Sequence, residues 1–173
     1  ERFAKDASQV ADLRADACCV LSHVALQKRD VRRALQYMDM ADALRPNDPY
    51  ILSGRAAVHA SRGSKASALQ DLLRARELMR ATPKPHAELF LLERTGEIGK
   101  SLHCLGRMRE AQPELDKYVQ LAFAPEMDEK LTDNERGHAL VAQYMLSGLY
   151  AEQGEKAKAT EAYDLAQARE NRM

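Results

Sequence analysis

Small and apolar positions along the chain fall into four similar segments. They align on a glycine or turn residue followed five residues later by alanine. The first segment, 15–48, carries Cys18, Leu21, Ser22, Ala25, Ala34, Met38, Ala41 and Pro46. The second, 49–83, carries Leu52, Ala56, His59, Gly63, Ala68, Leu72, Ala75 and Leu78. The third, 84–124, carries Ile98, Gly99, Leu102, Gly106, Ala111, Leu115 and Tyr118. A loop over 125–131 precedes the fourth, 132–173, with Leu146, Ser147, Tyr150, Gly154, Ala159, Tyr163 and Ala166. Each segment predicts a helix, a tight turn and an antiparallel helix. Small residues let the two helices approach, larger ones fill the space between them, and a glycine ends the first helix in a left-handed conformation. No such pair hides its apolar face alone, so the expected fold is all-α, a right-handed α-solenoid of four stacked pairs.

The spacing between segments is uneven, and the excess residues predict further elements. From Gly63 to Gly106 is 43 residues and from Gly106 to Gly154 is 48, so the third and fourth pairs are expected to have long first helices. Thr82-Pro83-Lys84-Pro85 reads as a helix start, predicting a helix over Pro85–Leu105. Thr132 with Glu135 forms a capping box, predicting a helix over Asp133–Gln153. Between them a helix is expected over Gln112–Phe123, started late so that Pro113 falls in its first turn, because an interior proline costs roughly 3 kcal/mol. Residues 125–131 are expected to be an exposed loop. Residues 1–14, with Phe3, Val10 and Leu13 on one face, predict an N-terminal helix or the end of a preceding pair. The last helix is expected to close near Arg169. Both ends lead us to expect a longer array.

Composition changes this picture little. Aromatics are 5% of the 173 residues and tryptophan is absent, so the core must come from Ala, Leu and Met. Net charge is zero, which argues against nucleic acid as a partner. The charge is unevenly spread: residues 15–80 hold 11 basic and 7 acidic groups, residues 81–173 hold 12 and 16. Such asymmetry could steer a partner or favour head-to-tail contact. Three cysteines, an odd number with Cys18 and Cys19 adjacent, suggest a cytoplasmic or other reducing compartment. No apolar run reaches the ~18 residues of a membrane span.

The repeated residues resemble the tetratricopeptide repeat family, whose period of 34 residues separates the first two segments. The resemblance covers nearly the whole chain. It implies a protein-interaction scaffold that binds a peptide segment or helix of a partner in a groove lined by the first helix of each pair. On this sequence the lining positions are Asp16, Cys19, His23, Leu26 and Gln27, then Tyr50, Ser53, Ala57 and Ser61. Glu93, Gly96, Lys100 and His103 follow in the third segment, and Val141, Tyr144, Gly148 and Glu152 in the fourth. Gly96 and Gly148 would leave room for an approaching backbone, and Tyr50 and Tyr144 would serve as anchors. Chaperone-binding members clamp a terminal carboxylate with Lys and Asn. Here those positions hold Cys19 and His23, then Ser53 and Ala57, so that clamp is absent. Arg55 stands where the family usually has Leu, and Asp71 lies opposite it, which suggests an interhelical ion pair. Tyr118 replaces a small residue, so wider packing is expected around it.

No phosphate loop, nucleophile motif or zinc signature is present, so neither an enzyme nor a cofactor is expected. Cys19 and His23 share a helix face, but two neighbours on one face do not make a metal site. His59 reads as a core or edge histidine. Lys28, Arg29, Arg32 and Arg33 cluster at a turn and are best read as solvated, with anion binding as the alternative. The competing functional readings are a docking or regulatory region of a larger enzyme or assembly, and self-association through the solenoid ends.

Overall fold

A computed structural model describes residues 2–127 and 129–172, with backbone alone for 2–8. Among these residues the chain forms α1 (Arg2–Gln27), α2 (Val31–Leu44), α3 (Pro49–Ser61), α4 (Lys65–Ala81), α5 (Ala87–Cys104), α6 (Met108–Ala122), α7 (Asp133–Glu152) and α8 (Lys156–Glu170). A 3₁₀ turn covers Pro125–Met127, and no strand occurs among the described residues. No described helix is long and apolar enough to cross a membrane. The helices group into two compact units, residues 1–87 and 88–173.

The repeated positions do the same work in each pair. The turn residue takes a left-handed φ in all four: 59° at Arg29, 82° at Gly63, 74° at Gly106 and 79° at Gly154. The residue after each turn donates its N–H to a carbonyl five residues back, as in Ser64 to His59 at 2.9 Å, which closes the first helix. The small positions are sealed, with Ala34, Ala41, Ala75 and Ala111 at 0% exposure. In the first and fourth pairs a serine fastens the two helices. Ser22 Oγ donates to the Ala34 carbonyl and Ser147 Oγ to the Ala159 carbonyl, each at 3.0 Å.

In the first unit α1 packs on α2, α2 on α3 and α3 on α4. Its core is Ala15, Cys18, Ala25, Ala34, Met38, Ala41, Ile51 and Val58. Asp48 caps α3, its carboxylate accepting the Tyr50 N–H at 2.8 Å, and Pro49 fills the first helical position. In the second unit α6 packs on α7 and α7 on α8. Ile98, Ala111, Leu115, Ala139, Ala142 and Leu149 are its most deeply buried apolar residues on α5, α6 and α7. The capping box is formed: Glu135 Oε2 accepts the Thr132 N–H at 2.6 Å and the Glu135 N–H reaches Thr132 Oγ1 at 3.4 Å. α7 then runs over Asp133–Glu152, as the sequence led us to expect.

Several expectations need correction. Residues 2–14 are no separate helix but the start of the 26-residue α1, with Val10 at 55% and Leu13 at 70% exposure. The Phe3 and Ala4 side chains lie outside the described residues. Thr82 closes α4, its N–H bonded to the Leu78 carbonyl, rather than opening α5. Each residue before a proline is pushed out of the helical region, and His86 adopts a φ of 62°, so α5 starts at Ala87. α6 starts at Met108, which leaves Pro113 inside it. Burying both Ala111 and Leu115, each at 0% exposure, requires helical phase directly from the turn, and the exposed Pro113 ring displaces no core side chain. Arg107 also clasps Glu110 with two bonds of 2.6 and 2.7 Å across that first turn. The segment 125–131 is not simply exposed, because Met127 and Leu131 are buried at 5% and 7%.

Candidate functional site

On the first unit, the face of α1 and α3 carries a chain of charges that joins three of its helices. Arg45, which follows α2, reaches Asp16 on α1 at 2.8 Å and Asp48 at 3.3 Å. Asp48 takes a second partner, Lys84, at 2.8 Å. Lys84 lies 5.6 Å from the centre of the Tyr50 ring, and the Tyr50 hydroxyl donates to the Pro85 carbonyl at 3.0 Å. Tyr50 keeps 44% of its surface exposed although its hydroxyl and one ring face are held. Of the residues expected here, Asp16 and Tyr50 belong to this network, Cys19 lies beside it, and Ala57 and Ser61 are exposed nearby on α3. His23 and Gln27 pair with each other at 3.1 Å. Burial pushes the Cys19 thiol up, so it is no ready nucleophile. No group able to hold a metal occurs among the described residues.

Burial works to raise the Asp48 carboxyl. Its bonds from Lys84 and the Tyr50 N–H, with the charges of Lys84 and Arg45, outweigh that effect and hold it below its ordinary value of 3.8. A depressed carboxyl stabilises the fold in full above its ordinary value, and that contribution is lost as pH falls through the depressed one. The urea midpoint should therefore fall more steeply below pH 3.8 in the native chain than in an Asp48→Asn variant. Equal slopes would show that Asp48 gains nothing from these partners.

Behind this face sits the Arg55 cluster. Arg55 donates two bonds to Asp71, at 2.9 and 2.8 Å, and one to Asp42 at 2.9 Å. The ion pair expected from the sequence is therefore present and gains a second carboxylate from α2. His59 Nε2 lies 3.8 Å from Asp71, at the edge of the same cluster.

In the second unit, α5, α6 and α7 line an open polar cavity of about 250 Å³. Glu93, Arg94, Glu97 and Lys100 enter it from α5, Tyr118 from α6, and Glu135 and His138 from α7. Arg94 pairs with Glu93 at 3.2 Å and Glu97 at 3.0 Å. Burial pushes Glu93 up, whereas the Thr132 hydroxyl and N–H hold Glu135 down. Burial lowers Lys100. Burial, and after it the charges of Glu93, Glu135 and Glu97, push Tyr118 up to about 12.

Gly96 faces Tyr118 and makes room for its ring. A Cβ on Gly96 would stand 2.7 Å from the ring. Gly96 is thus filled from within and leaves no room for a partner's backbone, whereas the position of a Gly148 Cβ is open. Of the expected residues, Glu93 and Lys100 line the cavity, while His103, Tyr144 and Glu152 do not. Tyr144 instead donates to Glu170 at 2.6 Å and meets the Tyr163 ring edge-on at 5.7 Å. Val141 is exposed at 52%.

No family model and no curated protein sequence matches this chain. Its fold is similar to a solved structure of MamA over 94% of this chain and 82% of that one, at 13% identity and a TM-score of 0.69. It is also similar to a putative kinesin light chain of Podosopora anserina with nearly identical TPR-like repeats, at 17% identity and a TM-score of 0.66, covering 92% of this chain and 76% of that one. A third similar structure is YrrB, a TPR protein with an unusual peptide-binding site, at 20% identity and a TM-score of 0.54, covering 98% of this chain and 92% of that one. In fold, the chain is a tetratricopeptide-repeat domain.

Proposed function

We propose that the chain binds a segment of another protein on the faces of its first helices, α1 with α3 and α5 with α7. The observation that carries this reading is Tyr50. A large ring stands 44% exposed yet is fixed by the Pro85 carbonyl and by Lys84. An aromatic held in place before binding loses little freedom on contact, which is the property of an interface anchor. Ala57 and Ser61, further along the same helix, are exposed as well. The similar fold of YrrB, with its peptide-binding site, supports the reading.

Selection of peptides from a displayed library, followed by calorimetry on those recovered, tests it. Tyr50→Ala should weaken binding about tenfold or more, the size expected for an anchor, with helix content unchanged. Peptides that bind the variant as tightly as the native chain would refute it.

A second reading, self-association, is favoured by α1. Val10, Leu13, Val20, Leu21 and Val24 form an exposed apolar stripe along it, of the kind that marks an interaction surface. Light scattering over a concentration series separates the two. A mass that rises with concentration and returns to one chain in Leu21→Glu would favour assembly.

A further inference from the structure

One repeated seam is closed in the second unit and open in the first. Between α6 and α7 two side-chain bridges close it. Gln153 Nε2 donates to Gln112 Oε1 and the Tyr150 hydroxyl donates to Asp116, each at 2.8 Å. Gln112 and Asp116 stand six and ten places after the turn residue Gly106, and Leu35 and Asp39 stand equally far after Arg29. Tyr150 and Gln153 stand four places and one place before Gly154, as His59 and Arg62 do before Gly63. At the matching seam of α2 and α3, register therefore sets Leu35 against Arg62 and Asp39 against His59.

Neither bridge forms there. A leucine side chain offers nothing to a guanidinium. Asp39 instead pairs with Arg55 at 3.7 Å, and His59 with Asp71 at 3.8 Å. The seam stays open as a cleft of about 420 Å³, lined by Val31, Arg32, Leu35, Gln36, Asp39 and Arg62.

The lining has two characters. Val31 and Leu35 pack partly against the core and give the cleft an apolar floor. Arg32 and Arg62, in the first turn of α2 and at the end of α3, are exposed. Their side chains make no hydrogen bond or ion pair among the described residues. Arg33, by contrast, is paired with Asp30 at 3.8 Å and does not line the cleft. Two unengaged guanidinium forks over an apolar floor fit a carboxylate carried beside an aliphatic side chain. The forks bind the carboxylate through charge-assisted bonds, and covering the floor removes apolar surface from water. A nucleic acid fits poorly, because the lining holds no aromatic ring for a base and Asp39 would repel phosphates.

We infer that this cleft docks an acidic segment of a partner protein. A leucine-like side chain lies on Val31 and Leu35, and flanking carboxylates reach Arg32 and Arg62. Tyr50 is in the first turn of α3 and Arg62 at its far end, so the inference stands apart from the Tyr50 reading.

The test is a nuclear magnetic resonance titration of the whole labelled chain with the peptide acetyl-Glu-Asp-Leu-Glu-Glu-amide. Saturable shifts are expected at the Leu35, Gln36, Arg62 and Gly63 amides. Binding should weaken about threefold or more as sodium chloride rises from about 0.05 to about 0.3 M. Arg32→Gln and Arg62→Gln should each weaken it about fivefold. Both residues are exposed, so the fold is not at stake. Arg33→Gln removes the same charge outside the cleft and should change the affinity by less than about twofold. A peptide with glycine in place of its leucine should bind about fivefold more weakly. No saturable shift, or equal losses in Arg33→Gln and Arg62→Gln, overturns the inference, the second by showing a diffuse attraction between charges. Indifference to the leucine, or potassium phosphate shifting the same amides as strongly as the peptide at equal concentration, overturns it as well, by showing a site for a bare anion. Each of these outcomes leaves the Tyr50 reading standing.

Discussion

Replacing Asp71 with alanine is expected to lower the unfolding free energy by about 2–3 kcal/mol. Asp71 is 8% exposed and holds the Arg55 guanidinium with two bonds. Its carboxylate is the largest influence raising the Arg55 pKa, ahead of the opposing effect of burial. Removing it leaves a cation between α2, α3 and α4 with Asp42 as its main remaining partner at 2.9 Å. The full cost of an orphaned buried charge, about 3–5 kcal/mol, is not expected. Arg55 retains 21% of its side-chain surface and Asp42 retains 28%, so water and the second carboxylate soften the loss. The discriminating measurement is a double-mutant cycle with Arg55→Met in urea. Once the guanidinium is gone, Asp71→Ala should cost far less, with a coupling of about 1 kcal/mol or more. Additive effects would mean that the pair contributes geometry without energy.

Gly99→Val should cost the fold about 2–3 kcal/mol. A Cβ at Gly99 would stand 2.8 Å from Leu115 Cδ2, 2.9 Å from its Cγ and 3.2 Å from its backbone nitrogen. Leu115 is fully buried, so its side chain has nowhere to turn, and its backbone belongs to α6. Valine is a better helix former than glycine by a few tenths of a kcal/mol, which offsets little of the clash. Two comparisons identify the cause. At Gly148 on α7 a Cβ meets nothing within 4 Å, and Gly148→Val should be close to neutral. Leu115→Ala, costing about 2–5 kcal/mol by itself, should cost clearly less beside Gly99→Val, because each change relieves the other. Energies that simply add would show that α5 and α6 do not approach as closely as their glycine implies.

Features written within a few consecutive residues were legible beforehand. The Thr132–Glu135 box and the glycine turns each depend on backbone bonds spanning at most five residues, so their residue types suffice. The start of α6 was misjudged because the local penalty of Pro113 is real but smaller than the benefit of burying Ala111 and Leu115. The ion pair of Arg55 and Asp71 could be inferred from the register of two helices. Asp42, contributed by a third helix, could not. In the same way Asp48 caps α3 through the nearby Tyr50 N–H, but its bond to Lys84 spans 36 residues. Glu93 and Lys100 were selected by register alone. Glu135 had been read only as a cap and Tyr118 only as a misfit in the core.

By itself the sequence determined an all-helical chain of four paired segments, because helix periodicity, turn residues and small interface positions are local rules repeated along it. Tertiary structure decided which of the irregular residues meet. Gly96 makes space for Tyr118 from another helix, and that exchange sets the Tyr118 side chain in one polar cleft with Glu93 and Glu135. The physical reason is range. Backbone hydrogen bonds are settled between near neighbours, whereas burial and charge act between residues that only the packed helices bring together.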